Sequence, residues 1–498
     1  MVWLVAALVL LWLALGPLVL VAAAVALCVP RVRWWVQDRT RVERRTAAWA
    51  AGVVVAACGL VVVLPDGWLP VPPAPGVLAG PAYLGRPAQA NPVATEAPQN
   101  PFRVTGTPAA RPGPLGLQPQ VDTSWFGLQR CGRIEVASTG LLVATCTGRG
   151  GPALRLVDPS DLRPVATREL PEDETCAGDA SYVDQSDRAV VATADREVLA
   201  VRTATGEGEP DLATDATWDL KPYVPFGDCL VALAPDWSGR IWWASREGLV
   251  GTLAPDTGAV QVVDLGEEVD RGLAADPDGG VYVVTHESVQ RLTAGPDGTP
   301  TTVWRTVTDH AGGSAPTLLD GGTLAVTDEA DGRLQVVVLQ RGSGEQVCRQ
   351  AVFEKGDGST ASDLAALGSS VVVTNNDGYS SPRSALLGFT TSAGIARVDV
   401  ADGACTERWS SDWVSPSSGA VVSWPSGLVY AWTKRPSTAG VSAWYLTALD
   451  ADTGRGRWSV RTGTGLLAGS DGSEVTVGPE GTVWVGTLAG LVRVRDRS

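Results

Sequence analysis

Histidine, methionine and lysine are nearly missing from this chain of 498 residues, which has two histidines, one methionine and lysines only at positions 221, 355 and 434. With His286 and His310 as the only imidazoles, a histidine-rich metal centre is excluded, and acid–base work near neutrality has two candidates at most. No Cys-x-x-Cys occurs, which argues against zinc and thioredoxin-type sites. Gly-x-Ser-x-Gly, His-Glu-x-x-His and a phosphate-cradling glycine loop are absent too, removing the usual hydrolase, metalloprotease and nucleotide-binding signatures. Positive charge is scarce: outside the stretch 31–45 there are 33 basic against 52 acidic residues. Such a surface repels phosphate backbones, so nucleic-acid binding is not expected. Arginine far outnumbers lysine and Ala, Val, Gly and Pro are abundant, a composition associated with GC-rich actinobacterial genomes.

Charge is absent altogether from residues 1–30 and 46–65, each long enough to cross a bilayer as a helix. Between them Arg31, Arg33, Arg39, Arg41, Arg44 and Arg45 outnumber Asp38 and Glu43, so the positive-inside bias places the loop 31–45 in the cytoplasm. The expectation is a two-helix transmembrane hairpin over 1–65, with everything after Pro65 outside the cytoplasm at the cell membrane. A cleaved signal peptide fits less well, because the first apolar run is too long, lacks a basic start and is followed by a second span. Val55-Ala56-Ala57-Cys58-Gly59 resembles a lipobox, but the apolar residues after Gly59 favour Cys58 as a buried small side chain. Residues 66–120 contain 13 prolines. They read as an extended extracytoplasmic linker, reaching about 170 Å at about 3.1 Å per residue.

From residue 121 to 498 the pattern changes to a repeat. Short apolar runs of β-formers end on Thr145, Thr193, Ser245, Thr285, Thr327, Thr374, Thr433 and Thr487, at intervals of 40 to 59 residues. That is the period of a propeller blade. The fold expected is all-β, an eight-bladed β-propeller, with seven blades as the alternative. The last repeat has three clear strands, and its missing outer strand is expected from Thr123 to Leu128, which would close the ring and remove sheet edges.

Ala448-Leu449-Asp450-Ala451-Asp452-Thr453-Gly454-Arg455-Gly456-Arg457-Trp458 resembles the blade motif of quinoprotein-like (PQQ-like) propellers, with partial copies at Asp256-Thr257-Gly258, Asp297-Gly298 with Trp304, and Asp399 with Gly403 and Trp409. Gly481-Thr482-Val483-Trp484-Val485-Gly486-Thr487 and Gly239-Arg240-Ile241-Trp242-Trp243-Ala244-Ser245 are similar to repeats of streptogramin-lyase-like and sensor propellers. The resemblance implies a turn held by the Asp and Thr, a Gly in the tight bend and a Trp between blades. The vicinal cysteine pair of many quinoprotein dehydrogenases is absent and no residue carries over as a PQQ ligand, so PQQ is not expected.

Outside the apolar spans six cysteines remain, Cys131, Cys146, Cys176, Cys229, Cys348 and Cys405. An even number on the oxidising side of a membrane reads as disulfides. Hairpin register around Ser138-Thr139-Gly140 sets Cys131 opposite Cys146. Pairs 176 with 229 and 348 with 405 follow only from proximity.

If the eight hydroxyl residues end equivalent strands, the loops after them share one face. The sixth and seventh loops, starting at Asn375 and Lys434, are the long ones, and long loops in compact repeats tend to serve binding. The candidate ligand-binding residues are Asp328, Glu329, Asn375, Asn376, Asp377, Tyr379, His286 and Glu287. Asp328, Asp331, Asn376 and Asp377 supply the oxygen donors that calcium takes, which makes calcium the candidate cofactor; ordinary solvated turns are the competing reading. Alanine at Asp328, Asn376 and Asp377 is expected to leave folding nearly unchanged. The function expected is a membrane-anchored binding or scaffolding module at the cell envelope, with an envelope protein or small molecule as partner. The alternatives are a quinoprotein-type or calcium-dependent lyase or lactonase-like enzyme, and a sensor ectodomain that needs a signalling partner.

Overall fold

Eight antiparallel sheets follow one another along the chain in a computed structural model that describes residues 18–39, 48–49, 52, 55–56, 66–68 and 80–497. Within the last range, 96, 105–106, 173–179, 205–209, 311–312, 386–388 and 436–441 lie outside the description. The sheets span 129–169, 181–219, 230–264, 274–307, 317–351, 365–411, 421–464 and 475–495, here blades 1 to 8. In blades 1 to 7 the four strands pair in chain order, the first strands of neighbouring blades lie side by side, and the fourth strands face outward. The architecture is an eight-bladed β-propeller.

Burial follows from this radial order. The second strand of blade 3, Ile241–Ser245, and the third of blade 7, Ala443–Asp450, are buried at every residue, because sheets cover both of their faces. The outer strand of blade 1, Pro164–Glu169, alternates between half-buried and exposed, as a strand with one wet face must. All eight hydroxyl residues are buried and lie on or just after the second strand of their blade.

Blade 8 is closed from the other end of the chain. Gln120–Trp125 runs antiparallel to Gly490–Arg495, from Gln120 opposite Arg495 to Trp125 opposite Gly490. The closing strand starts three residues before the expected Thr123. It cannot run on to Leu128, because Gly127 (φ 63°) and Leu128 (φ 69°) turn the chain into blade 1. Arg493 Nη2 donates to Asp122 Oδ2 at 2.6 Å across the closure.

The blade motif works as its chemistry implies. Asp450 Oδ1 accepts from the Thr453 N–H and hydroxyl at 2.9 and 2.8 Å. Trp409, on the outer strand of blade 6, donates its indole N–H to Ala451 O of blade 7 at 2.9 Å. A Cβ on Gly454 would lie 2.5 Å from that indole, so the motif glycine serves the docking of the preceding blade as well as the turn. Trp304 and Gly344 repeat the device between blades 4 and 5, where Trp304 donates to Arg341 O at 2.9 Å.

Disulfides join Cys131 to Cys146 within blade 1 and Cys348 to Cys405 between the outer strands of blades 5 and 6. Cys229 is also disulfide-bonded, and Cys176 lies outside the described residues.

The proline-rich stretch does not run free over residues 80–119. Tyr83–Gly85 adds a fifth strand to blade 7. Beyond it the chain crosses the face formed by the turns between first and second strands. Val93 N–H donates to Trp424 O of blade 7 (2.8 Å), Asn100 Nδ2 to Pro235 O of blade 3 (2.9 Å) and Val104 N–H to Val183 O of blade 2 (3.2 Å). It then returns to blades 7 and 8, where the Asp496 carboxylate accepts the N–H groups of Leu115, Gly116 and Leu117 at 2.7 to 2.9 Å. Prolines deny this segment a ladder of its own, so its remaining backbone groups are met by blade turns. The segment therefore covers the channel on that face instead of acting as a 170 Å spacer.

Of the expected membrane hairpin, residues 1–17 and most of 46–65 lie outside the description. Helices Leu18–Cys28 and Pro30–Arg39 are described, the second occupying part of the stretch expected as a loop. Among the described residues no helix is long and apolar enough to cross a membrane.

The crossing segment generates a direct test. Asp496→Ala strands three backbone N–H groups, and a hydrogen bond to a charged group is worth about 1.5–3 kcal/mol. Hydrogen exchange should accelerate at Leu115 to Leu117 while the blade cores stay protected; unchanged protection there would show that the carboxylate does not hold the segment.

Candidate functional site

In each blade the turn between second and third strands points to the face opposite the crossing segment. In blades 2, 3, 4 and 8 the buried hydroxyl at its base closes the turn. Thr193 Oγ1 accepts from the Glu197 N–H (3.3 Å), Ser245 Oγ from the Leu249 N–H (3.2 Å), and Thr487 Oγ1 donates to Gly490 O (3.2 Å). In blades 5, 6 and 7 the hydroxyl turns elsewhere: Thr327 donates to Ser314 Oγ (3.0 Å), Thr374 accepts from the Ala420 N–H of blade 7 (3.0 Å) and Thr433 pairs with Thr447 across strands (2.7 Å).

The sixth loop is the largest feature of this face. It leaves blade 6 through Asn375 and Asn376, both buried. Asn375 Nδ2 donates to Asp357 O (2.7 Å) and Ala393 O (3.1 Å), while Asn376 Oδ1 accepts from Ala361 N–H (3.1 Å) and Ser362 Oγ (2.9 Å). The two amides hold the loop's base. Asp377 accepts from Ser392 Oγ (2.9 Å) across the loop. Farther out, Tyr379 donates its hydroxyl to Asp471 Oδ1 in the connection into blade 8 (2.6 Å), and Asp471 Oδ2 pairs with Arg130 at the start of blade 1 (3.4 Å). Burial and the Asp471 hydrogen bond raise the phenol's pKa, so it remains a donor through neutral pH. The loop is therefore a strap reaching from blade 6 toward blades 8 and 1. Its short helix Pro382–Ala385 is tied to the seventh loop by Ser442 Oγ donating to Ala385 O (3.0 Å).

Asp328 belongs to a different environment. Its side chain is fully buried, accepts from His310 N–H (2.8 Å) and pairs with Arg349 (3.1 Å). Glu329 is exposed, and exposed Asp331 occupies a left-handed turn position at φ 57°. No hydrogen bond or ion pair among the described residues joins Asp328 or Asp331 to Asn376 or Asp377. Among the described residues no group of three or more His, Cys, Asp or Glu side chains converges there. Alanine at Asp328 or Asn376 will not be neutral for folding, contrary to expectation. Each change leaves buried partners unmatched, Arg349 and the His310 N–H in one case, Ala361 N–H and Ser362 Oγ in the other.

His286 and Glu287 stand between blades 3 and 4, in a polar cluster centred on Glu267. Burial would raise the Glu267 pKa, but hydrogen bonds from Thr285, Ser288 and Arg305 hold it below the usual carboxylate range. His286 lies between Asp270 and Glu268, and the Asp270 hydrogen bond raises the imidazole pKa against a small burial effect. Glu287 is exposed, 3.8 Å from Arg305. His310 is not within this cluster; it contributes its backbone to Asp328 and Glu329.

Lys434 carries more weight than the sequence pattern assigned to it. It follows Thr433 on the second strand of blade 7, is 2% exposed, and its Nζ has no hydrogen-bond partner among the described residues. Burial alone lowers its pKa to about 8. The available signal was a lysine, one of three in the chain, ending an otherwise apolar strand from Leu428. The strap's Arg383 and the leucines of the blade 8 entry were also missed, since single exposed residues in loops carry no periodicity.

No family model matches the chain. An uncharacterized protein of Archaeoglobus fulgidus is 25% identical over 324 residues, covering 55% of this chain, which in turn spans 62% of that protein's length. BamB from Moraxella catarrhalis is similar over 77% of this chain and 96% of its own, at 14% identity and a TM-score of 0.43. Streptogramin B lyase matches over 76% and 97% respectively, at 11% identity and 0.45. The computationally designed Ika8 protein matches over 74% and 97%, at 14% and 0.48. The expected likeness to quinoprotein-like and lyase-like propellers is met at the level of the β-propeller fold, which the strand pairing itself establishes.

Two titrations test this face. A lysine whose folded pKa is depressed binds fewer protons than the unfolded chain between about 8 and 10.5, so stability rises with pH across that window. Lys434→Met should raise stability at pH 7 by up to about 3 kcal/mol, at about 1.4 kcal/mol per pKa unit, seen as a higher melting temperature whose gap closes toward pH 10.5. A gap independent of pH would mean the amine is solvated. His286 has the opposite sign: its raised pKa stabilises the fold below the ordinary value and ceases to do so as pH rises through the folded one. His286→Asn should lower the melting temperature near pH 5.5 and leave it unchanged at pH 8.

Proposed function

We propose that this protein is a membrane-anchored, extracytoplasmic β-propeller that acts as a binding or scaffolding module, presenting the face of the second-to-third-strand turns to its partner at the cell envelope. The observation that carries this reading is the coverage of the opposite face by residues 80–119, which occupy the turns of blades 2, 3 and 7 and cross the channel. A surface already satisfied by its own chain has few free groups to offer. The strap of blade 6 lies on the open face.

Anchoring is supported by the two uncharged stretches and the arginines between them. Residues 66–68 lie against the outer edge where blade 8 meets blade 1. Gly67 N–H donates to Trp125 O (2.9 Å), and Trp68 lies under Arg163 in the turn between the third and outer strands of blade 1. The disulfides suit an oxidising compartment.

The test combines topology with contact mapping. Reporter fusions after Pro65 should be active only outside the cytoplasm, and a fusion at Arg41 only within it. A photo-crosslinking residue at Phe389, in the sixth loop, should give partner adducts in intact cells, whereas one at Asp278, in a covered-side turn, should not. Equal adducts from both positions would sink the assignment of the face, and a cytoplasmic reporter signal after Pro65 would sink the anchoring.

A further inference from the structure

Under the end of the strap is a cavity of about 390 Å³, within the range of small-molecule sites. Leu128, Leu466, Leu467 and Leu488 line it, and Ser381 and Arg383 of the strap stand at its edge. The lining comes from four places in the sequence: the strap, the turn into blade 1, the connection into blade 8, and a blade 8 turn on the open face. It forms only in the closed ring.

Two features mark the cavity as more than a surface dent. Leu128 and Leu466 each remain 39% exposed, so apolar surface is turned toward water around a concave site. Leu128 also holds a left-handed backbone at φ 69°, a conformation that costs energy in a bulky residue and that glycine or asparagine would adopt more easily. A leucine kept in such a position, with its side chain half in solvent, points to a ligand that covers it.

The charge around the cavity is positive within an acidic protein. Arg383 is exposed, and no carboxylate pairs with it among the described residues. On the neighbouring blade 7, the amine of Lys434 has no hydrogen-bond partner among the described residues. Trp444 stands opposite it in strand register and donates its indole N–H to Gly465 O (2.8 Å), the residue before Leu466. A buried charge without a partner is costly, and an anion nearby offsets that cost.

We infer that this cavity binds a small amphiphilic anion, an acyl chain ending in a carboxylate or phosphate, with the chain against the four leucines and the head on Arg383. The inference rests on the open face being the recognition face, and names one ligand class for it. Four apolar side chains and one cation match an acyl chain with one anionic end, and a neutral alcohol of the same length would leave the arginine unmatched.

The experiment uses the full-length protein in nanodiscs and a diazirine-bearing octanoate probe, with labelled peptides mapped by mass spectrometry. Labelling should be saturable and fall on peptides containing Leu466, Leu467 or Leu488. Octanoate or octyl phosphate should compete, the stronger of the two identifying the source of the head group, and octanol should not. Arg383→Gln should weaken competition about tenfold, as loss of one charge-assisted hydrogen bond implies. Leu466→Asp should abolish labelling while the melting temperature stays near wild type, since Leu466 is partly exposed. Labelling spread over other peptides, equal competition by octanol, or indifference to Arg383→Gln would overturn the inference. Partner adducts at Phe389 with an unlabelled cavity would sink the ligand and spare the face; a labelled cavity without adducts at Phe389 would do the reverse.

Discussion

The pairing of Gln120–Trp125 with Gly490–Arg495 is the constraint on which the molecule depends. Seven blades complete themselves locally, but blade 8 takes its outer strand from the start of the domain. Without it, Gly490–Arg495 would be an open edge, and neither end of the ring would be held. Arg493 reinforces the seam through Asp122 and through Pro159 O of blade 1. The seam thus joins three parts of the chain, since blade 1 packs against the strand that closes blade 8.

Closure also dictates where the rest of the chain goes. Because the closing strand is the outermost of blade 8, the residues before it must approach from outside the ring. They do so across the face of the first-to-second-strand turns, held by Ser423, Ser426 and Tyr430 of blade 7 and by Asp496 just after the last strand. The amides of 115–117 therefore rest on a carboxylate six residues past Gly490, where the seam ends. Coverage of one face and closure of the ring are coupled through that short distance. A propeller closed by a C-terminal strand would have no reason to bury this face.

The architecture was legible because it is repetitive. Eight hydroxyl residues at blade spacing marked eight second strands, and the Asp450 to Trp458 motif marked a turn whose partners are all within nine residues or on the adjacent blade. Cys131 and Cys146 were assignable because a hairpin fixes their register. The course of 80–119 was not legible. Its contacts are with residues more than a hundred positions away, and proline content speaks only to local extension. Site residues failed for a related reason: Asn375, Asn376 and Asp328 look like solvated turn formers in sequence, yet each faces backbone and side-chain partners brought in by loops of its own or the next blade. Residue type reveals hydrogen-bonding capacity; only the fold reveals whether that capacity is already used.

That distinction separates the polar groups of the open face into two kinds. Asn375, Asn376, Asp328 and Glu267 are saturated, and their chemistry is spent on holding loops. Lys434 is the opposite: an amine excluded from water with nothing among the described residues to receive its protons. A buried unpaired charge survives only if the surrounding structure is stable enough to tolerate it. Blade 7 is the blade best able to do so, since Tyr83–Gly85 gives it a fifth strand and Trp432, Trp444 and Trp458 fill its core. The same strand addition that anchors the crossing segment on one face thus supports the unpaired cation on the other.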